Sequence, residues 1–303
     1  MNRFSGLIGT AMVGVLILSV SALAGRTREE TKTYQGIETI RLSTISGDCV
    51  VQKATGADVT VEVVWSYDPR DSFEPRFNDR GKVLKLSEEI YGSNSGHSTW
   101  TLSVPDNVEI AFNSASGGFE IAEHQGEVSA ETASGNIRAD DCGGSLRLSS
   151  ASGDIDLRDC TGDIRASSAS GNVQVIGCSG EFEVSSASGD VDGDGVTLED
   201  EGSFSSASGD VLVILAVSPE FDLSVGSASG DATLNYNGKP FKGRYEFTAN
   251  YRDGRINAPV DFDGEDRYER HGERYVSKWF AVGGETPLIT VETGTGEATL
   301  LED

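Results

Sequence analysis

Apolar and polar residues alternate in short bursts through the middle of the chain, and each burst ends at a glycine. In residues 150–170, Ile155 and Leu157 alternate with Asp154 and Asp156, and Ile164 and Ala166 alternate with Asp163 and Arg165. A period of two predicts strands with one buried face. The glycines between the bursts return every nine residues from Gly117 to Gly189, and every second one closes a Ser-Gly pair. They predict turns, where glycine relieves positions with φ > 0. One unit of 18 residues thus holds two strands and two turns. It is too short for a crossover helix, so each strand pairs in parallel with its equivalent one unit away.

The columns agree with that reading. Phe119, Ile137, Ile155, Val173, Val191 and Val211 share one repeat position. Ile121, Ala139, Leu157, Val175 and Val213 share another, and Val128, Leu146, Ile164 and Phe182 a third. Hairpins of an antiparallel sandwich would not require like residues in columns. The expected fold class is all-β: a single-stranded parallel β-solenoid (β-helix) with 18-residue rungs, capped at both ends by irregular β segments. Seven rungs would make a rod of about 34 Å.

The flanks read differently. Residues 1–24 have the form of a secretory signal: Arg3, an apolar run from Leu7 to Val20, and Ala22-Leu23-Ala24 before Gly25. An uncleaved N-terminal anchor is the competing reading. Either places the protein outside the cytoplasm: periplasmic, on the cell surface or extracellular. No further membrane span is expected. Residues 25–112 are expected to hold an N-terminal cap and first degenerate rungs, with 67–80 as a loop. Residues 113–235 form the regular array. Residues 236–303 form an aromatic-rich cap and a last rung. The aromatic residues of that cap, Tyr236, Phe241, Tyr245, Phe247, Tyr251, Phe262, Tyr268, Tyr275, Trp279 and Phe280, predict a packed cap core, with a carbohydrate-stacking surface as the alternative.

Charge narrows the partners. The formal net charge is −25, and residues 113–235 carry 22 Asp/Glu against four Lys/Arg. Such a surface repels phosphate backbones, which argues against nucleic acid. It also keeps a repetitive β surface soluble. The expected partner is an envelope or extracellular protein or a glycan.

Three motifs bear on chemistry. Asp190-Val191-Asp192-Gly193-Asp194-Gly195 with Glu201 fits the calcium-loop pattern, in which carboxylates at alternate positions wrap a hard cation. It falls where the Ser-Gly spacing slips from 18 to 20 residues, so a bulged loop is expected there. Asp190, Asp192, Asp194 and Glu201 are the candidate calcium ligands, and no other cofactor is expected. Against this, Asp190 and Asp192 in one extended strand would stand about 7 Å apart. Second, Gly118, Asn136, Asp154, Asn172, Asp190, Asp210 and Asp231 form a column after the Ser-Gly pairs, expected to serve turn hydrogen bonds. Third, His124, Cys142, Cys160 and Cys178 share an inward column. Cys142, Cys160 and Cys178 predict a ladder of buried thiols or one disulfide, while a zinc site with His124 lacks the usual ligand spacing.

No catalytic motif is present: no G-x-S-x-G elbow, Walker loop or H-E-x-x-H. A non-enzyme is expected. A calcium-stabilised binding module and a carbohydrate-active β-helix enzyme are the alternatives. The Ser-Ala-Ser-Gly-Asp-Ile repeat, Ile45-Ser46-Gly47-Asp48-Cys49-Val50-Val51 and Leu102-Ser103-Val104-Pro105 resemble the bacterial "putative adhesin" family of β-strand repeats. The resemblance covers roughly residues 36–300. It implies an exported or envelope-associated β-solenoid of unknown function and brings no catalytic residue.

Overall fold

Inward side chains decide the architecture. The computed structural model describes residues 27–303, and among them all regular structure is strand. The expected signal segment lies outside the described residues. No helix of the described residues is long and apolar enough to cross a membrane.

Two faces of strands run side by side. On one, Ile137–Asp140 pairs in parallel with Ile155–Arg158, with Ile137 opposite Ile155 and Ala139 opposite Leu157. On the other, Gly143–Ser150 pairs in parallel with Thr161–Ser168, with Leu146 opposite Ile164. The strand Val191–Ser206 runs through both faces and joins them into one 26-stranded sheet. Inward columns are buried on both faces. They meet across the interior: the Phe112 and Phe119 rings, one from each face, stack at 5.2 Å. Burying each such aliphatic or aromatic side chain contributes about 1.5–3 kcal/mol.

The two kinds of glycine work differently, which corrects the sequence expectation. Gly144, Gly162 and Gly180 do have positive φ, at 107°, 111° and 145°. The Ser-Gly glycines do not; they are needed because successive backbones touch. A Cβ on Gly153 would lie 2.0 Å from the carbonyl oxygen of Gly135. The opposite corner turns on a left-handed residue at each rung, Glu123, Asp141, Asp159, Gly177 and Gly195.

Both ends depart from the expected irregular caps. Thr39–Thr44 sits between Val83–Ile90 and Glu109–Ser114, parallel to both. Asp48–Lys53 likewise sits between Ser95–Val104 and Phe119–Ala122. The outermost N-terminal rung is therefore later in sequence than the rung it covers. The C-terminal end mirrors this. Leu288–Thr293 inserts between Leu223–Ser227 and Gly243–Asn250, and Glu297–Leu301 between Ala232–Asn235 and Arg255–Asn257. The last rung in sequence is thus clamped inside the stack.

Antiparallel strands close three of the four edges. Val59–Asp68 and then Arg28–Tyr34 cover Ser95–Val104, and Phe73–Asp79 covers Val83–Ile90. Residues 67–80, expected as a loop, are therefore mostly strand with a turn at 69–72. Pro75 is tolerated because it lies on an edge. Glu273–Val282 covers Gly243–Asn250, and the charged Gly264–Arg270 forms the edge beyond it. Charge and proline on these edges oppose pairing with further strands.

The N-terminal clamp has a polar anchor that sequence reading missed. Glu88 is buried, and its carboxylate accepts Ile45 N–H at 2.9 Å, Trp100 Nε1–H at 3.0 Å and a short hydrogen bond from Ser98. Glu88→Ala would strand three donors, two of them buried side chains. It should cost about 3 kcal/mol, read as a lowered urea midpoint followed by tryptophan fluorescence. A loss below about 0.5 kcal/mol would mean the carboxylate does not hold this end together.

Candidate binding surface

Between the two outermost rungs, each rung turns one corner with the sequence Ser-Ala-Ser-Gly or a close variant, and two hydrogen-bond ladders explain the choice. The first is buried. Ser150 Oγ–H donates to Gly135 O at 3.1 Å, and Ser150 Oγ in turn accepts Gly153 N–H at 2.8 Å. Thr132, Ser168, Ser186, Ser206, Ser227 and Thr293 repeat this at their own rungs. The hydroxyl satisfies both polar backbone groups that the close Gly–Gly approach leaves inside.

The second ladder is outside. Asn136 Oδ1 accepts Asp154 N–H at 3.0 Å, Asp154 Oδ1 accepts Asn172 N–H at 2.8 Å, and the series continues through Asp190, Asp210 and Asp231. The Asx column thus serves the next rung's backbone.

Between the corner and the neighbouring face runs a groove of about 870 Å³. Its lining repeats rung by rung: Ser149, Ser167, Ser185 and Ser205 on one side, Ala133, Ala151, Ala169, Ala187 and Ala207 on the other. It spans several rungs and offers hydroxyls and methyls at a regular spacing of about 4.8 Å. In the sequence the Ser-Ala-Ser-Gly segments read as turns. The alanine at every rung was the available signal, since a turn alone does not require it.

The calcium-pattern residues are placed differently from expectation. Asp190 precedes the strand, and its Oδ1 accepts Asp210 N–H. Asp192 and Asp194 follow in regular parallel register with Gln174 and Ile176. Glu201 lies beyond the corner, on the part of the strand that pairs with the other face. The two-residue slip falls at 199–201: Gly180 pairs with Leu198, but Phe182 pairs with Gly202. The motif is therefore strand through Asp194 and a left-handed corner at Gly195, where the register with Val211–Leu215 also shifts, and the two-residue slip comes after it. Among the described residues no three His, Cys, Asp or Glu side chains gather closely enough to hold a metal ion. Burial, with the charges of Asp190 and Asp210, pushes the Asp192 carboxyl above the usual carboxylate range.

The cysteine column is inward and made of free thiols. Cys142, Cys160 and Cys178 are all buried, as is Cys49 elsewhere. Their S–H groups point to backbone carbonyls: Cys142 to Asp140 O at 3.3 Å, Cys160 to Arg158 O at 3.2 Å, Cys178 to Ile176 O at 3.4 Å. The neighbouring Cys160 thiol and burial push Cys142 and Cys178 up, while the thiols on either side hold Cys160 below them. His124 begins the column, its Nε2 bonded to Val108 O at 3.0 Å, and burial lowers its pKa.

The outer face carries ion pairs. Arg165 binds Asp163, Glu181 and Glu183 at 2.6, 3.3 and 3.1 Å, and Arg147 binds Glu127 at 3.0 Å. These are solvent-exposed and each contributes on the order of 0–1 kcal/mol. At the C-terminal end the aromatic residues divide. Tyr236, Tyr245, Phe247 and Phe280 are buried, with Tyr245 and Phe280 stacked at 4.5 Å, as a cap core requires. Tyr251 and Tyr268 stay exposed, and the Arg267 and Arg274 guanidinium groups lie 4.9 and 5.3 Å from the Tyr251 ring.

Residues 37–250 match a family described as Toastrack DUF4097. No curated protein matches the sequence. Among solved structures, the chain is similar to a "putative lipid binding protein" from Parabacteroides distasonis, at 12% identity over 92% of this chain and 98% of that one, with a TM-score of 0.48. It is also similar to a "putative adhesin" from Bacteroides fragilis, at 12% identity over 90% and 97%, with a TM-score of 0.42. A "putative cell adhesion protein" from Clostridium sporogenes aligns at 13% identity over 91% and 99%, with a TM-score of 0.24.

Proposed function

We propose that this chain, which belongs to the Toastrack DUF4097 family, is an exported, non-catalytic parallel β-solenoid with 18-residue rungs that works as a rigid binding or adhesive rod at the cell envelope. The observation that carries the reading is the groove of repeated Ser and Ala along the stack. A surface that repeats at a fixed spacing suits a ligand that also repeats, such as an extended polymer or strand. Clamped end rungs and covered edges keep that spacing uniform. The apolar run and small-residue site in residues 1–24 support export. The acidic outer face supports solubility outside the cell and disfavours nucleic acid.

The test uses fluorescently labelled protein of residues 27–303 on isolated cell envelopes. Binding should saturate. The double variant Ser167→Arg/Ser185→Arg, which fills the groove at one exposed and one half-buried position without touching the buried hydroxyls, should weaken it at least about tenfold, or about 1.4 kcal/mol. Undiminished binding by the double variant would remove the groove from the account. Full-length protein retained in the cytoplasm would remove the export reading.

A further inference from the structure

The outer Asx ladder has one interruption. Asp48 Oδ1 accepts Gly118 N–H at 2.8 Å, and from Asn136 onward each Asx side chain accepts the next rung's N–H. Gly118 has no side chain to offer. Of the N–H groups of residues 118, 136, 154, 172, 190, 210, 231 and 297, that of Asn136 alone receives no Asx oxygen among the described residues. A polar cavity of about 500 Å³ opens at this step, lined by Asp48, Thr99, Ser116, Ser134, Arg138 and Asp156.

We propose that this notch is a binding site for a neutral saccharide, with a sugar hydroxyl taking the place of the missing Asx oxygen on Asn136 N–H. The chemistry of the lining selects the ligand class. Asp48 and Asp156 bring negative charge, and the Arg138 guanidinium is engaged by Asp156 at 3.4 Å. An anion would therefore be repelled. A hydroxyl suits the site because it accepts and donates at one atom. Its oxygen accepts Asn136 N–H, and its proton goes to a carboxylate. Asp48 Oδ1 is engaged by Gly118 N–H, while Oδ2 lies 3.8 Å from His97 Nε2. Adjacent hydroxyls of a sugar ring can reach the Ser116 and Ser134 side of the same cavity. The proposal deepens the binding role inferred above but uses a different surface from the Ser/Ala groove.

The test is direct because the ladder supplies its own blocking residue. Gly118→Asn restores the pattern of the other rungs. A Cβ at residue 118 would meet Asn136 O at 3.3 Å and Asp48 Oδ1 at 3.6 Å, so a small shift accommodates it, and φ there is not in the left-handed region. Labelled protein of residues 27–303 is titrated with chitotriose, cellotriose and maltotriose while backbone amide resonances are followed. At least one sugar should shift the Asn136 amide saturably, with affinity on the order of millimolar. Gly118→Asn should raise the unfolding temperature and abolish that shift. Ser167→Arg/Ser185→Arg should leave it unchanged, which separates this site from the groove. If none of the three sugars moves Asn136 at about 20 mM, or if Gly118→Asn binds as well as the parent, the proposal is wrong.

Discussion

Ile155→Asp should unfold the centre of the stack. Ile155 is fully buried between Ile137 and Val173 in the inward column. The substitution removes a large apolar side chain and puts a carboxylate where no donor or cation waits. Loss of the side chain alone costs about 2–5 kcal/mol, and burial of an unpaired charge adds to it. The expected result is a loss of about 5 kcal/mol or more by urea unfolding, with strand signal lost first in the central rungs. Asp156→Ser, one residue along, removes only an exposed pair with Arg138 and should cost about 0.5 kcal/mol or less. Equal effects at the two positions would refute the assignment of inward and outward faces.

Gly153→Ala should do comparable damage by a different route. It adds one methyl group and no charge, but that carbon would sit 2.0 Å from Gly135 O and 3.0 Å from Asn136 N. Both are backbone atoms of the neighbouring rung and cannot swing aside. The rungs would have to separate, stretching the hydrogen bonds that Ser150 makes to Gly135 O and Gly153 N–H. We expect a cost of about 3 kcal/mol or more. Gly56→Ala is the control, because nothing lies within 4 Å of a Cβ there and its φ is unremarkable. It should change stability by about 0.5 kcal/mol or less. A tolerant Gly153→Ala would show that the rungs are not held in backbone contact.

The array was legible because its physics repeats. Each column records the same inward, outward or corner environment several times, so Ile137, Ile155 and Val173 identify one another. The ends were not legible because their pairing breaks that period. Nothing in the spacing of Thr39–Thr44 indicates that it lies between Val83–Ile90 and Glu109–Ser114; non-local hydrogen bonding decides it. The slip near Asp190 was visible only as a sum, 20 residues from Gly189 to Gly209. Packing places it at 199–201, since Val191 and Gly193 keep the column and Phe204 fills the space over Gly193. Glu88 follows Leu84 and Leu86 on the inward side of an alternating strand, where a carboxylate breaks the apolar pattern. Its burial depends on donors from Ile45, Ser98 and Trp100 that only the folded end brings together. The Asx column was read correctly as backbone chemistry, but its partner is the next rung, and that makes the gap at Gly118 meaningful.

The central claim is that one step along the stack is one parallel strand pairing, from Glu120 through Arg138, Asp156, Gln174, Asp192 and Leu212 to Thr233. Pulsed electron–electron distance measurements test it most directly, with spin labels on cysteines at Glu120 and Asp192 in one variant and at Glu120 and Thr233 in another. The four buried native cysteines are replaced by alanine in both. The account predicts backbone separations of about 19 Å for four steps and about 29 Å for six, each in a narrow distribution. A Glu120–Thr233 distance no longer than Glu120–Asp192, or a broad distribution at either pair, would contradict it.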